Sequence, residues 1–98
     1  MSIRGKAAIV GFYETPTRKE FPDRTTYGLM AEVARGAIID SGLRKEDIDG
    51  LIGPESLNSI ELAEALGMQP RFTSSMTVHG ASGAASIATA AEAISAGL

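Results

Sequence analysis

Three places in this 98-residue chain carry the same punctuation, in which a helix-compatible run meets a glycine and then an apolar residue: Ser41-Gly42-Leu43, Leu66-Gly67-Met68 and Ala96-Gly97-Leu98. Glycine takes the left-handed conformation that ends a helix, and the apolar residue after it closes the hydrophobic contact of a Schellman cap. The three stops predict three helices, and a short apolar run precedes each. Lys6 to Phe12, ending near Gly11, is too short for a helix and suits a strand buried on both faces. Gly50-Leu51-Ile52-Gly53 before Pro54, and Arg71 to Val78, supply the second and third strands. Strand alternating with helix predicts an α/β layer of βαβαβα order, a mostly parallel sheet with right-handed crossovers.

The segments between these runs fit the same plan. Tyr13 to Arg24 holds Pro16, Pro22 and six charged side chains, a composition that resists helix and central strand and predicts a long surface loop. From Thr26, residues Leu29, Met30, Val33, Ala34, Ala37, Ile38 and Ser41 share one helical face, with Glu32, Arg35 and Asp40 on the other. Residues Arg44 to Ile48 predict one helical turn. Asn58-Ser59-Ile60-Glu61 has capping-box spacing with Asn58 as N-cap, opening a helix whose buried side is expected to be Ile60, Ala63 and Leu66. The last helix is built largely of alanine, with Ile87 and Ile94 as its bulky members, and so many small residues suit a helix enclosed by other backbones. A parallel sheet needs cover on both faces. The expectation is therefore that residues 1–98 form the N-terminal part of a larger fold, or a truncated product that relies on a partner.

Composition removes several function classes. A formal charge of -3 and scattered Lys and Arg leave no basic stripe, so no nucleic-acid partner is expected. There is no cysteine and only one histidine, which rules out a disulfide framework, a thiolate nucleophile, a Cys-based metal site and a His cluster. Asp47 and Asp49 flank Ile48 with no second acidic cluster, so no metal is expected there. The first residues lead into only a short apolar run, with neither a secretory segment nor a membrane span, and the expected location is cytoplasmic.

Chemistry concentrates where the third strand breaks into the last helix, at Met76-Thr77-Val78-His79-Gly80-Ala81-Ser82-Gly83-Ala84-Ala85. The first N-H groups of a helix lack internal partners and carry the positive end of its dipole, so a group held there lies beside an anion or oxyanion site. Gly80, Ala81 and Gly83 let a substrate approach the backbone closely. Gly80-Ala81-Ser82-Gly83-Ala84 comes close to a G-x-S-x-G nucleophile elbow with Ala84 for the last glycine, which would make Ser82 a nucleophile whose base comes from elsewhere. A dinucleotide site is disfavoured, because G-x-G-x-x-G is incomplete and the junction follows the third strand. Plainer roles stand beside these: His79 as a strand-end side chain satisfied by backbone, Ser82 as a first-turn residue bonding the helix N-H groups, and the loop residues Tyr13, Glu14, Arg18 and Lys19 as solvated side chains rather than contacts for a ligand phosphate or a neighbouring subunit.

Val78-His79-Gly80-Ala81-Ser82-Gly83, followed by Ala84-Ala85-Ser86 and Ala91-Glu92-Ala93-Ile94-Ser95-Ala96-Gly97, resembles the Asn-x-x-Cys-Ala-Ser-Gly junction and alanine-rich helix of the thiolase superfamily, and most nearly its sterol-carrier-protein and lipid-transfer branch. Ala7-Ala8-Ile9-Val10-Gly11 with Glu14-Thr15-Pro16, and Asp47-Ile48-Asp49-Gly50-Leu51, resemble that family's first strand and its approach to the second. The resemblance covers essentially the whole chain and only the N-terminal portion of a thiolase. It implies a partial thiolase-like fold and an acyltransferase family that makes or cleaves carbon-carbon bonds in acyl-CoA thioesters, with the thioester as substrate, no further cofactor, and a homodimeric parent. The family's nucleophilic cysteine falls on Gly80, and its Ala-Ser-Gly on Ala81, Ser82 and Gly83, which become the implied substrate-binding residues. Without the cysteine the chain alone is not expected to perform thiolysis or condensation. Members lacking it include retro-aldolases on acyl-CoA and proteins that pair with a small acyl-CoA-binding partner. His79 then stands beside the catalytic position as a hydrogen-bonding group for a thioester or hydroxyl.

Overall fold

A computed structural model describes residues 2–20, 22–23, 25–54 and 59–98. Its elements run α1 (Thr26–Ser41), a 3-10 turn (Lys45–Asp47), β1 (Gly50–Pro54), α2 (Ser59–Leu66), β2 (Phe72–Met76), a second 3-10 turn (His79–Ala81) and α3 (Ser82–Ser95). Among the described residues this is a small mixed α/β arrangement of three helices on a two-stranded parallel sheet. Gly50 pairs with Phe72 and Pro54 with Met76. The ladder is seeded by the Asp49 carbonyl, which accepts from the N-H groups of Arg71 at 2.7 Å and Phe72 at 3.1 Å.

The sheet has two strands where the sequence predicts three. Residues 7–12 join no ladder, and Ile9 and Phe12 remain 74% and 70% exposed. Apolar character favours an extended run, yet a strand also needs a neighbour to take its N-H and C=O groups. The segment's end, residues 11–13, meets α1 instead. The Phe12 N-H donates to Asp40 Oδ2 at 3.0 Å, and the Tyr13 hydroxyl donates to Glu32 Oε2 at 3.0 Å. Gly11 meets the helix so closely that a Cβ there would overlap the Ala37 carbonyl oxygen, and Gly36 leaves room for the Tyr13 ring. Two glycines, one on each partner, thus let residues 11–13 pack closely against the helix.

Helix α1 begins as its sequence predicts, with the Thr25 side chain accepting from the Gly28 N-H at 3.0 Å. The three glycine stops divide into two kinds. After α2 and α3 the full Schellman pair forms: Gly67 donates to Glu64 and Met68 to Ala63, Gly97 donates to Ile94 and Leu98 to Ala93. After α1 the longer of the two bonds is replaced. Ser41 Oγ donates to the Ile38 carbonyl at 2.6 Å and accepts from the Leu43 N-H at 3.1 Å, so the hydroxyl is inserted into the cap and Leu43 stays exposed. Asp47 caps the next turn, accepting from the Arg44 backbone N-H at 2.9 Å and from its guanidinium at 3.4 Å. Those two bonds hold its carboxyl below the ordinary aspartate range. The cap's contribution is thus present above the ordinary value and fades as the pH falls through the lowered one.

The core sits where α2 meets the sheet. Leu62, Ala63 and Met68 are buried with Ser59, and Gly53 of β1 faces the Leu62 side chain. The buried stripe of α2 is therefore Ser59, Leu62, Ala63 and, half-buried, Leu66, whereas Ile60 is 63% exposed. Of the expected stripe Ala63 is buried and Leu66 half-buried, and Ile60 alone gives way, to its neighbour Ser59. Ser59 explains the shift, because its hydroxyl donates to the Ser74 carbonyl at 2.9 Å and lies 3.0 Å from Ser75 Oγ, fixing the first turn with a polar residue against the sheet. The expected N-cap Asn58 lies outside the described residues. On α3 only Ala93 is buried, and Ile87 and Ile94 are exposed, so the enclosure that an alanine-rich helix suggests is supplied on the sheet side alone.

Candidate functional site

Strand β2 ends at Met76, and two residues later the chain tightens into the 3-10 turn His79–Ala81 before α3 opens at Ser82. The turn is set by a residue that sequence reasoning did not single out for backbone freedom. His79 has φ 54, and it is the sole non-glycine with positive φ among the described residues. Gly80 and Gly83 keep ordinary φ values, so the freedom of the two glycines is not used for backbone geometry. Histidine belongs to the small group of side chains enriched in the left-handed region, and it occupies that region at some conformational cost.

Ser82 locks the turn. Its hydroxyl accepts from the Val78 N-H at 2.9 Å and donates to the His79 carbonyl at 2.8 Å, closing the chain on itself across the bend. That proton goes to a carbonyl and not to a base, so the hydroxyl acts as a strut. The plainer reading of Ser82 placed its bond on the helix N-H groups. The bond instead goes back to the Val78 N-H on the strand side. Ser82→Ala is expected to lower stability by about 1 kcal/mol, the net value of such bonds. Urea denaturation and faster exchange of the Val78 amide check it; unchanged exchange would contradict the strut.

The sequence-derived site residues thus lie together on one bend. His79, Gly80, Ala81 and Gly83 are exposed and Ser82 is half-buried. A Cβ at Gly80 or Gly83 would meet nothing within 4 Å. The Ala81 N-cap makes no side-chain bond to the first N-H groups of α3, and the 3-10 turn already pairs the Ala81 N-H with the Val78 carbonyl and the Ser82 N-H with the His79 carbonyl. The loop residues considered beside this junction sit apart from it: Tyr13 is engaged by Glu32, and Arg18 forms an ion pair with Asp23 at 3.6 Å.

A cleft of about 390 Å3 runs between β1 and the flank of α3, with Leu51, Phe72, Ile87 and Ile94 in its wall, and none of His79 to Gly83 lines it. Periodicity alone could not reveal it, since it depends on how α3 lies against β1. No group of three or more His, Cys, Asp or Glu side chains suited to a metal occurs among the described residues, and no helix there is long and apolar enough to cross a membrane. Compared with known proteins, the chain matches no family model, and no curated protein matches it significantly.

Proposed function

We propose that this chain is the first part of a thiolase-like fold that receives an acyl-CoA thioester at the β2-α3 bend, with Gly80 where the family's nucleophile stands. The observation that carries this reading is the openness of Gly80: it is exposed, its φ is ordinary, and the space where its side chain would project is empty. A residue placed there would stand next to the start of α3, whose N-cap makes no side-chain bond, and the N-terminal end of a helix suits a carbonyl oxygen that is gaining charge. The parallel β1-α2-β2 unit leading into the bend supports the same reading. With glycine at position 80 no acyl group can be carried at that position, so the bend serves to hold and polarise the thioester, with His79 beside it as a hydrogen-bonding group. Carbon-carbon bond chemistry on that thioester is the class of reaction this arrangement serves.

Two measurements test it. Butyryl-CoA titrated into the labelled chain is expected to shift the amides of Gly80, Ala81, Ser82 and Gly83 ahead of all others; no shift at millimolar ligand would sink the proposal. Gly80→Cys is expected to fold as the parent does and to gain 42 Da from acetyl-CoA as the new thiolate attacks the acetyl carbon and coenzyme A leaves as the thiol. A folded variant that stays unmodified would show that the bend does not activate a thiol. Amide shifts at the bend with no turnover of a β-hydroxyacyl-CoA would assign the chain to acyl-CoA binding rather than to retro-aldol cleavage.

A further inference from the structure

A second concavity, of about 320 Å3, lies between α1 and α2 and is walled by Ile38, Ile39, Leu43, Leu66 and Met68 among others. Its only charged lining residues are Arg35 and Lys45. Arg35 projects from the same helical stripe as Ala31, Ile38 and Ile39, at i, i+3 and i+4 spacing, so cation and apolar wall are presented by one face. Lys45 approaches from the 3-10 turn, and its Nζ lies 3.0 Å from where a Gly67 side chain would begin, over the end of α2. Neither cation forms an ion pair among the described residues. No carboxylate lines the pocket, although acidic residues outnumber basic ones twelve to nine over the chain.

An apolar pocket near the lower end of the usual ligand range, bearing two cations and no anion, selects an amphiphilic anion by charge complementarity. We infer that this pocket binds a medium-chain aliphatic carboxylate, its alkyl chain between Ile38, Leu66 and Met68 and its head group between Arg35 and Lys45. Arg35 offers a planar fork matched to a carboxylate, and Lys45 a point charge on a second side of the pocket, over the end of α2. The inference goes beyond the thioester reading and does not depend on it, since no residue of the β2-α3 bend lines this pocket.

The test uses octanoate as probe on the full chain, followed by the methyl signals of Ile38, Ile39, Leu43, Leu66 and Met68. Saturable shifts with a Kd of about 1 mM or below are expected for a ligand of this size. Octanol, which keeps the chain and drops the charge, is expected to bind about tenfold more weakly, and Arg35→Gln to weaken octanoate by about the same factor while leaving octanol unchanged. Equal affinity for octanol and octanoate would overturn the proposal, as would shifts spread over the whole chain or absent altogether. Arg35 is exposed, so its substitution leaves the fold in place, and the octanol comparison needs no variant.

Discussion

Leu62→Ala is expected to remove about 2–5 kcal/mol of stability, the cost of emptying a buried leucine site. Leu62 is 2% exposed and is the most buried apolar side chain among the described residues, where Ala63, Met68 and Ala93 complete the buried apolar set. A chain of this length holds on the order of 5–15 kcal/mol in all. This one exposes 7189 Å2, about a third more than the roughly 5,300 Å2 of a compact monomer of 10.2 kDa, so it has less buried surface than usual to draw on. The urea midpoint read from helical signal is therefore expected to fall by about 2 M or to vanish into the baseline. Ile60→Ala is the control, since Ile60 is 63% exposed and its loss is expected to stay within about 0.5 kcal/mol. Equal effects at the two positions would mean that α2 is rotated from the orientation described, with the stripe through Ile60 facing the sheet after all.

The second large effect is expected at Gly11. An alanine methyl there would overlap the Ala37 carbonyl oxygen and come to 2.9 Å from the Cβ of Ser41. Because the obstacle is helix backbone, it cannot rotate away as a side chain would, and a cost of about 1–3 kcal/mol follows from such overpacking. The relief available is to peel residues 11–13 off α1, which breaks the bond from the Phe12 N-H to Asp40. Accelerated exchange of the Phe12 amide together with the lower midpoint identifies that route. Gly80→Ala serves as comparison, for its added methyl meets nothing and is expected to be neutral within about 0.5 kcal/mol. If Gly11→Ala left both the midpoint and the Phe12 amide unchanged, the close approach of segment and helix would be refuted.

What could be read from the sequence follows the range of the forces involved. Local signals carried: the helix start at Thr26, the turn at Lys45–Asp47, the strand at Gly50 and the glycines after all three helices are decided within a few residues of the chain. Signals that need a distant partner did not. The segment Lys6 to Phe12 has the composition of a strand, and whether it becomes one depends on an edge far along the chain. The buried face of α2 turned on Ser59 finding Ser74 and Ser75, a polar anchor that apolar periodicity does not register. At the bend the residues named in advance do lie together, but the geometry comes from a left-handed His79 and a bridging Ser82, neither of which composition or spacing expresses.

The left-handed conformation of His79 sets the range of residues the bend can accept. At position 79 glycine would relieve strain and asparagine or aspartate would be tolerated, whereas valine or isoleucine would pit a branched β-carbon against the backbone at a cost of about 1–2 kcal/mol or more. The neighbouring glycine has the opposite character: with ordinary φ and empty space around it, Gly80 is open to side chains of many shapes. Variation along this bend is thus permitted where a glycine stands and restricted where a histidine does, so chemistry can change at position 80 while the turn that presents it stays as it is.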